Sequence, residues 1–296
     1  MTALIILTIA LIAAVALLVW LTRKPTNDAN WSPDQKVLPY ADIAGDMVTI
    51  HNIRDFKYAS TSNYVPRYYD QSFDLARIRS VDYVFEPFVS RPFTSFRGLA
   101  HTFLSFGFDD GSYVSISVEV RKKVGQKFSP YKVLYKHYEL MYVIADENDV
   151  IDLRANHRHD RVYVYPLKAS RDQLCRLFLS MVERANSLAE RPEFYNAFTN
   201  SCTSNIVTHL HEIALARVPF SYKIVFPGYS DRLVYDLGLI DTGMSFEETR
   251  ARFLINDMAE LHRDSPDFSA KIRQRLVSAQ AESPAFDPRL DIIRRG

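Results

Sequence analysis

The chain has 296 residues, with 36 Lys and Arg against 35 Asp and Glu, and a formal net charge of +1. That balance excludes the strongly basic face of a typical nucleic-acid binder, and nine glycines without a Gly-rich phosphate loop exclude the common nucleotide cradles. A hydrophobic content of 47% supports a large core, while two cysteines, Cys175 and Cys202, are too few for a disulfide framework.

In chain order, the first element is a run of apolar residues from Ala3 to Leu21, interrupted only by Thr8. At the helical rise it spans roughly 28 Å, close to the hydrocarbon thickness of a bilayer. A cleaved signal peptide has a basic start and a small-residue cleavage site. Here Met1-Thr2 carries no side-chain charge and the run ends in Trp20-Leu21, so residues 1–23 read as an uncleaved transmembrane anchor. Arg23 and Lys24 follow at once, and the positive-inside rule read from them alone leaves the soluble part in the cytoplasm. No cysteine follows the run, which argues against a lipoprotein anchor.

Residues 24–46 are polar and contain prolines, and they read as a tether. From Met47 to Leu167 the pattern predicts strands: MVTIHNIRDFKY, SVDYVFEPFV and DRVYVYPL are short runs rich in Tyr, Phe, Val and Ile. YELMYVIADENDVIDLRA reads as a strand, an acidic turn and a second strand. The period then changes. Ser170 and Gln173 form a capping-box pattern, and Leu174, Leu177, Phe178, Met181, Val182, Ala185 and Leu188 follow at helical spacing. A second helix is predicted from Cys202 to Ala216, a third from Ser245-Phe-Glu-Glu248 to His262, and a last from Ser265-Pro266 to Val277. The tail with Pro284 and Pro288 reads as loosely held. Strands first and helices later make an α+β arrangement.

Segment 101–123 carries the clearest β signal. Phe108 and Ser112 flank Asp109-Asp110-Gly111, a three-residue hairpin loop with Gly111 suited to the left-handed position. Facing residues then have numbers summing to 220, which sets His101 opposite Glu119. One face of the hairpin holds Leu104, Phe106, Phe108, Val114, Ile116 and Val118. The other is mostly polar, with an imidazole across from a carboxylate, a pair that orients the ring and favours its charged form. An ordinary surface His–Glu pair would have the same pattern.

Cys202 is the other candidate. With Asn200 as N-cap it falls in the first turn of its helix, on one stripe with Ile206, Leu210 and Ile213. A thiol there faces unpaired N–H groups and the positive end of the helix dipole, which lower its pKa and activate it as a nucleophile. His209 and His211 are about 10–13 Å away along the axis, too far to take its proton. His157 and His159 lie in a polar loop with no recognised metal-ligand spacing. His51, His137 and His262 have no partner that spacing identifies, so His101 is the candidate base.

At these residues the chain resembles the Lnb N-terminal periplasmic domain family. The segments HTFLSFGFDDGSYVSISVEVRK, YELMYVIADENDVIDLR, RPEFYNAFTNSCTSNIV and PGYSDRLVYDLGLID carry the likeness, which covers Met47 to Asp241. The resemblance implies a Cys–His enzyme with a circularly permuted papain-like (NlpC/P60-like) fold, an antiparallel sheet packed on helices. Cys202 then matches the nucleophile and His101 the base. Glu119 is the candidate orienting group and rests more on the hairpin register. Asn200 and Tyr138 are further candidates at the substrate or oxyanion position, beside the Cys202 N–H. The resemblance also implies a periplasmic soluble part, against the vote of Arg23 and Lys24.

The expectation is therefore a bacterial inner-membrane protein with one N-terminal span, a domain over 47–243 and a helical extension over 244–296. Its expected activity is a cysteine acyltransferase or thiol hydrolase on a lipid-linked or cell-envelope acyl or amide substrate. Membrane lipid or lipoprotein is the expected partner, with no metal, cofactor or nucleic acid. A non-catalytic membrane-anchored binding or scaffold domain is the alternative.

Overall fold

The computed structural model describes residues 2–88, 98–129, 131–211, 221–240 and 242–281. Its centre is one large sheet. The strands in chain order are β1 (Tyr40–Ala44), β2 (Met47–Arg54), β5 (Tyr68–Asp74), β6 (Ile78–Pro87), β7 (Ala100–Phe108), β8 (Tyr113–Arg121), β9 (Glu139–Asp146) and β10 (Tyr163–Pro166), with a separate small ribbon of β3 (Lys57–Tyr58) and β4 (Tyr64–Val65). The spatial order is β1-β2-β9-β8-β7-β6-β10, with β5 also paired to β2. Every pairing is antiparallel except the parallel contact of Arg54 with Ala145 between β2 and β9.

The β7–β8 hairpin has the expected register. Phe103 faces Ser117, Leu104 faces Ile116 and Ser105 faces Ser115. Gly111 sits at φ +83°, where a side chain would strain the backbone. Its N–H donates to the Phe108 carbonyl at 3.1 Å, which closes the loop.

Both faces of this sheet are covered. On one side lie α3 (Arg171–Glu190) and α4 (Cys202–Leu210). Leu104, Phe106, Phe108, Ile116 and Val118 pack there against Leu177, Phe178, Met181, Cys202 and Ile206. The predicted stripe of α3 is buried throughout, and its capping box from Ser170 to Gln173 is formed. On the other side lie α2 (Glu147–Asp152), a π-helical turn (Leu153–His157), α8 (Asn256–Leu261) and α9 (Phe268–Ala281). Phe103, Met141 and Val143 pack there against Val150, Ile151, Ile255, Phe268 and Ile272. The polar face of the hairpin is therefore an interior layer, and Ser105, Ser115 and Ser117 are fully buried.

Several boundaries differ from the sequence reading. The segment expected as a second strand after β9 is helical. Asp146 caps it by accepting from the Asn148 N–H at 2.9 Å, and Val150 and Ile151 are buried on its inner side. Segment 24–46 is more than a tether: Asn27 bonds the Leu188 and Ala189 carbonyls, Trp31 is buried beneath Arg121, and β1 adds to the sheet. The predicted third helix is split into α7 (Phe246–Phe253) and α8, with Ser245 and Glu248 forming the predicted capping box. Segment 244–281 completes the core, since Arg273 of α9 is buried in bonds to Asp82 and Glu147. The expected continuation of the Cys202 helix to Ala216 and the proline-containing tail lie outside the described residues.

The N-terminal run forms α1 (Thr2–Thr22), and its described apolar side chains are exposed. Its side chains at 2–4, 13, 16 and 19 are outside the described set. Among the described residues no helix is long and apolar enough to cross a membrane, so the anchor stays a reading of the full sequence.

Candidate functional site

Cys202 is the first residue of α4. The N-cap is Ser201, one residue later than expected: its Oγ accepts the Ser204 N–H at 3.2 Å, and the Ser204 Oγ accepts the Ser201 N–H at 2.7 Å. This box turns the thiol toward the sheet, where the residue is 5% exposed. The Tyr195 hydroxyl lies 3.9 Å from the sulfur and also accepts the Cys202 N–H at 3.3 Å. Thr203 Oγ1 lies 3.8 Å from the sulfur. Burial and the adjacent thiol keep the Tyr195 phenol protonated, its pKa well above the ordinary value. Nearby on β6, the Tyr83 hydroxyl donates to Ser230 at 2.7 Å. The sulfur is thus lined by hydroxyls rather than by hydrocarbon alone.

His101 occupies the other side of the sheet. Strand alternation sends Leu104 to the face that holds Cys202, and sends His101 with Phe103 to the opposite face. The imidazole Nε2 bonds Ser117 Oγ at 2.8 Å and lies 3.7 Å from Glu119 Oε1. The structure therefore brings His101 and Glu119 together, with Ser117 between them. It does not bring His101 to Cys202: the β7 backbone separates them, and the two share no contact among the described residues.

Glu119 is engaged elsewhere. Arg154 of the π-helical turn donates to it at 3.0 Å and to Glu86 at 2.8 Å, while its guanidinium lies over the Phe103 ring. Burial pulls the His101 pKa down to about 3, and the Arg154 charge adds to the fall. Burial works to raise the Glu119 pKa, but Arg154, His101 and Arg54 hold it far below the carboxylate range. Glu86, fully buried, is pushed up to about 7 by burial against the pull of Arg154. An imidazole this acidic is a poor proton acceptor, because general-base efficiency needs a pKa near the working pH. A small solvent-open cavity of about 40 Å³, lined by Arg54, Tyr58, Glu119, Arg154 and Arg158 among others, opens on this face.

The remaining candidates are committed to structure. Asn200 donates to Glu193 at 3.0 Å and accepts from Asn205 at 2.9 Å. Tyr138 is buried and donates to the Lys127 carbonyl at 2.7 Å. Cys175 and Cys202 are both free thiols. Tyr195 was not singled out from sequence, although it stands seven residues before Cys202 in the quoted RPEFYNAFTNSC segment. His209, set aside from sequence only for its distance from the thiol, is buried and bonded to Tyr142 at 2.7 Å and Ser180 at 2.8 Å. Among the described residues no group of three or more His, Cys, Asp or Glu side chains is placed to hold a metal ion.

A mostly antiparallel sheet between two helical layers, with a cysteine opening a helix on the central strands, defines a mixed α+β domain with one buried polar-lined thiol. Residues 64–228 match the model of the Lnb N-terminal periplasmic domain, and the chain belongs to that family. No curated protein and no solved structure matches the chain.

Proposed function

We propose that this chain is a membrane-anchored periplasmic enzyme that carries an acyl group on Cys202. One observation supports this best: a buried thiol at a helix N-terminus is bridged, through both its sulfur and its N–H, by the hydroxyl of Tyr195. A purely structural thiol needs no such lining, whereas a nucleophile needs polar groups around the carbonyl it attacks. The placement of α4 over β7 and β8 also suits the permuted papain-like arrangement implied by the resemblance. The apolar stretch of α1 supplies the anchor, which holds the domain at the bilayer and suits a lipid-linked acyl donor.

In this proposal the Cys202 thiolate attacks an ester, thioester or amide carbonyl. The C–S bond forms, and the leaving alcohol, thiol or amine takes the proton that the thiol gave to the base. An amine or water then attacks the thioester and gives its proton to the base, the C–S bond breaks, and the thiolate departs. The Cys202 N–H, released from Tyr195, stabilises the oxyanion. His101 is the base in this proposal, and reaching the thiol requires the start of β7 to unpair from β6, where His101 faces Glu86.

A second reading is a non-catalytic anchored binding domain, favoured by the position of His101 across the sheet from the thiol. The two separate in a peptide-mapped alkylation of the full chain with iodoacetamide at mildly acidic pH. Selective modification of Cys202 over Cys175, lost in His101→Ala, supports the enzyme. Equal inertness of both thiols refutes it. If turnover is found, Glu119→Gln should reduce it less than His101→Ala, and the reverse order removes Glu119 from its orienting role.

A further inference from the structure

The segment between β8 and β9 leaves a group of large apolar side chains in the open. Tyr131 is 77% exposed, Tyr135 60% and Phe198, held alongside by the Ala197 N–H to Val133 carbonyl bond, 57%. Phe128 and Leu134 are exposed beside them. Residues 122–137 also carry five lysines and no acidic residue. Lys122 and Lys123 face Asp34 and Glu139, but among the described residues no carboxylate pairs with Lys127, Lys132 or Lys136.

This patch is continuous with the end of α1. The Lys136 ammonium stands 4.9 Å over the Trp20 ring, and Arg23 stands 5.8 Å from the Phe194 ring. It is equally continuous with the thiol, because the Tyr195 N–H bonds the Tyr138 carbonyl while its hydroxyl reaches Cys202. Aromatic rings mixed with lysines, at the polar end of an apolar helix, have the composition of a membrane–water interface belt. Lysines without a paired carboxylate are drawn to acidic headgroups, and rings with one wet edge settle at headgroup level.

We infer that residues 124–129 and 131–136 together with Phe198 form a docking surface for an anionic phospholipid bilayer, which seats the Cys202 end of the domain on the membrane. The inference rests on α1 being the anchor, and it adds a specified orientation: the Glu139 end of β9 lies against the lipid and the Asp146 end points away. Leu261 of α8 marks the far end, since Arg263 close by accepts a bond from Asn148 just beyond Asp146. At the rise of a strand the two ends of β9 are roughly 23 Å apart.

The test uses the full chain with Trp20→Phe, reconstituted in vesicles of roughly three parts phosphatidylcholine to one part phosphatidylglycerol. Tryptophan is placed at Tyr135→Trp or, as the far-end control, at Leu261→Trp. Trp31 is common to both. Quenching by lipids brominated near the headgroup is read after flotation. The expected result is quenching at position 135 at least about twofold above that at position 261. Replacing Lys127, Lys132 and Lys136 with Gln should abolish the extra quenching that phosphatidylglycerol gives over pure phosphatidylcholine. Equal quenching at 135 and 261 in floated vesicles overturns the docking surface and leaves the anchor standing. An undiminished phosphatidylglycerol effect in the lysine variant overturns its electrostatic basis. A chain that does not float overturns the anchor and this surface with it.

Discussion

Replacing Arg154 with Met tests the polar layer that holds His101. Arg154 is buried, with bonds to Glu86 at 2.8 Å, Glu119 at 3.0 Å and the Val150 carbonyl at 2.9 Å. Methionine keeps most of the volume and removes the charge, leaving two carboxylates without their main partner. Breaking a buried pair from one side costs about 3–5 kcal/mol, and for a chain of this size that lowers the melting temperature by roughly 6–20 °C. The loss should depend on pH in a stated direction. Glu86 already has a folded-state pKa near about 7, above its ordinary value of 4.5, so its contribution is present at low pH and fades as pH rises through the folded value. Without Arg154 that folded value moves higher, and the variant should lose more stability at pH 8 than at pH 5. Urea melts at both pH values measure it. A loss below about 1 kcal/mol at both would show that Glu86 and Glu119 reach water and that the layer is not the closed network described here. The same variant should raise the His101 pKa from about 3, read by NMR of the imidazole carbons, because one of the charges that depress it is gone.

Other consequences follow from particular contacts. Phe178→Ala removes a buried ring packed edge-on to Phe106 and Phe108 at centroid distances of 5.1 and 5.8 Å, and chemical melts should show a loss of about 3–5 kcal/mol. Gly107→Ala places a Cβ 2.5 Å from Ser80 Oγ and 2.6 Å from the Tyr113 ring, so it should cost about 1–3 kcal/mol, relieved in part by Ser80→Gly in the same chain. His51 bonds Asp70 at 2.8 Å and Asp42 at 3.1 Å, which raises its pKa. Its contribution to stability is therefore full below about pH 6.5 and lost as pH rises through the folded value, so wild-type and His51→Gln melting curves should converge at alkaline pH.

Local chemistry made much of this fold legible in advance. The Asp109-Asp110-Gly111 loop fixed the β7–β8 register residue by residue, because the turn geometry and the left-handed glycine leave one pairing. Capping boxes at Ser170 and Ser245 marked real helix starts. The second helical layer was not legible. A half-polar strand face usually meets water, and nothing local announces that Arg54, Arg154 and Arg273, from distant segments, will cover it with paired carboxylates. The same gap explains the candidate site. Spacing put Cys202 at a helix start and His101 opposite Glu119, and both placements follow from local rules. Which face of the sheet α4 would cover is a tertiary choice, and it set the thiol against Leu104 rather than Phe103. The helix after β9 was misread for a related reason: DENDVIDLRA alternates well enough for a strand, and only the Asp146 cap and burial of Val150 and Ile151 decide for helix.

The most direct test compares the two thiols of the wild-type chain. Cys175 is the more exposed, and burial raises its pKa, while Cys202 is almost fully enclosed. Exposure alone therefore favours alkylation at Cys175. The account predicts the opposite at pH 6, with Cys202 alkylated by iodoacetamide at least about tenfold faster, because a nucleophile's surroundings activate its thiol and a purely structural thiol's do not. Faster modification of Cys175, with Cys202 silent until the chain unfolds, would contradict a nucleophilic role and leave an anchored binding domain.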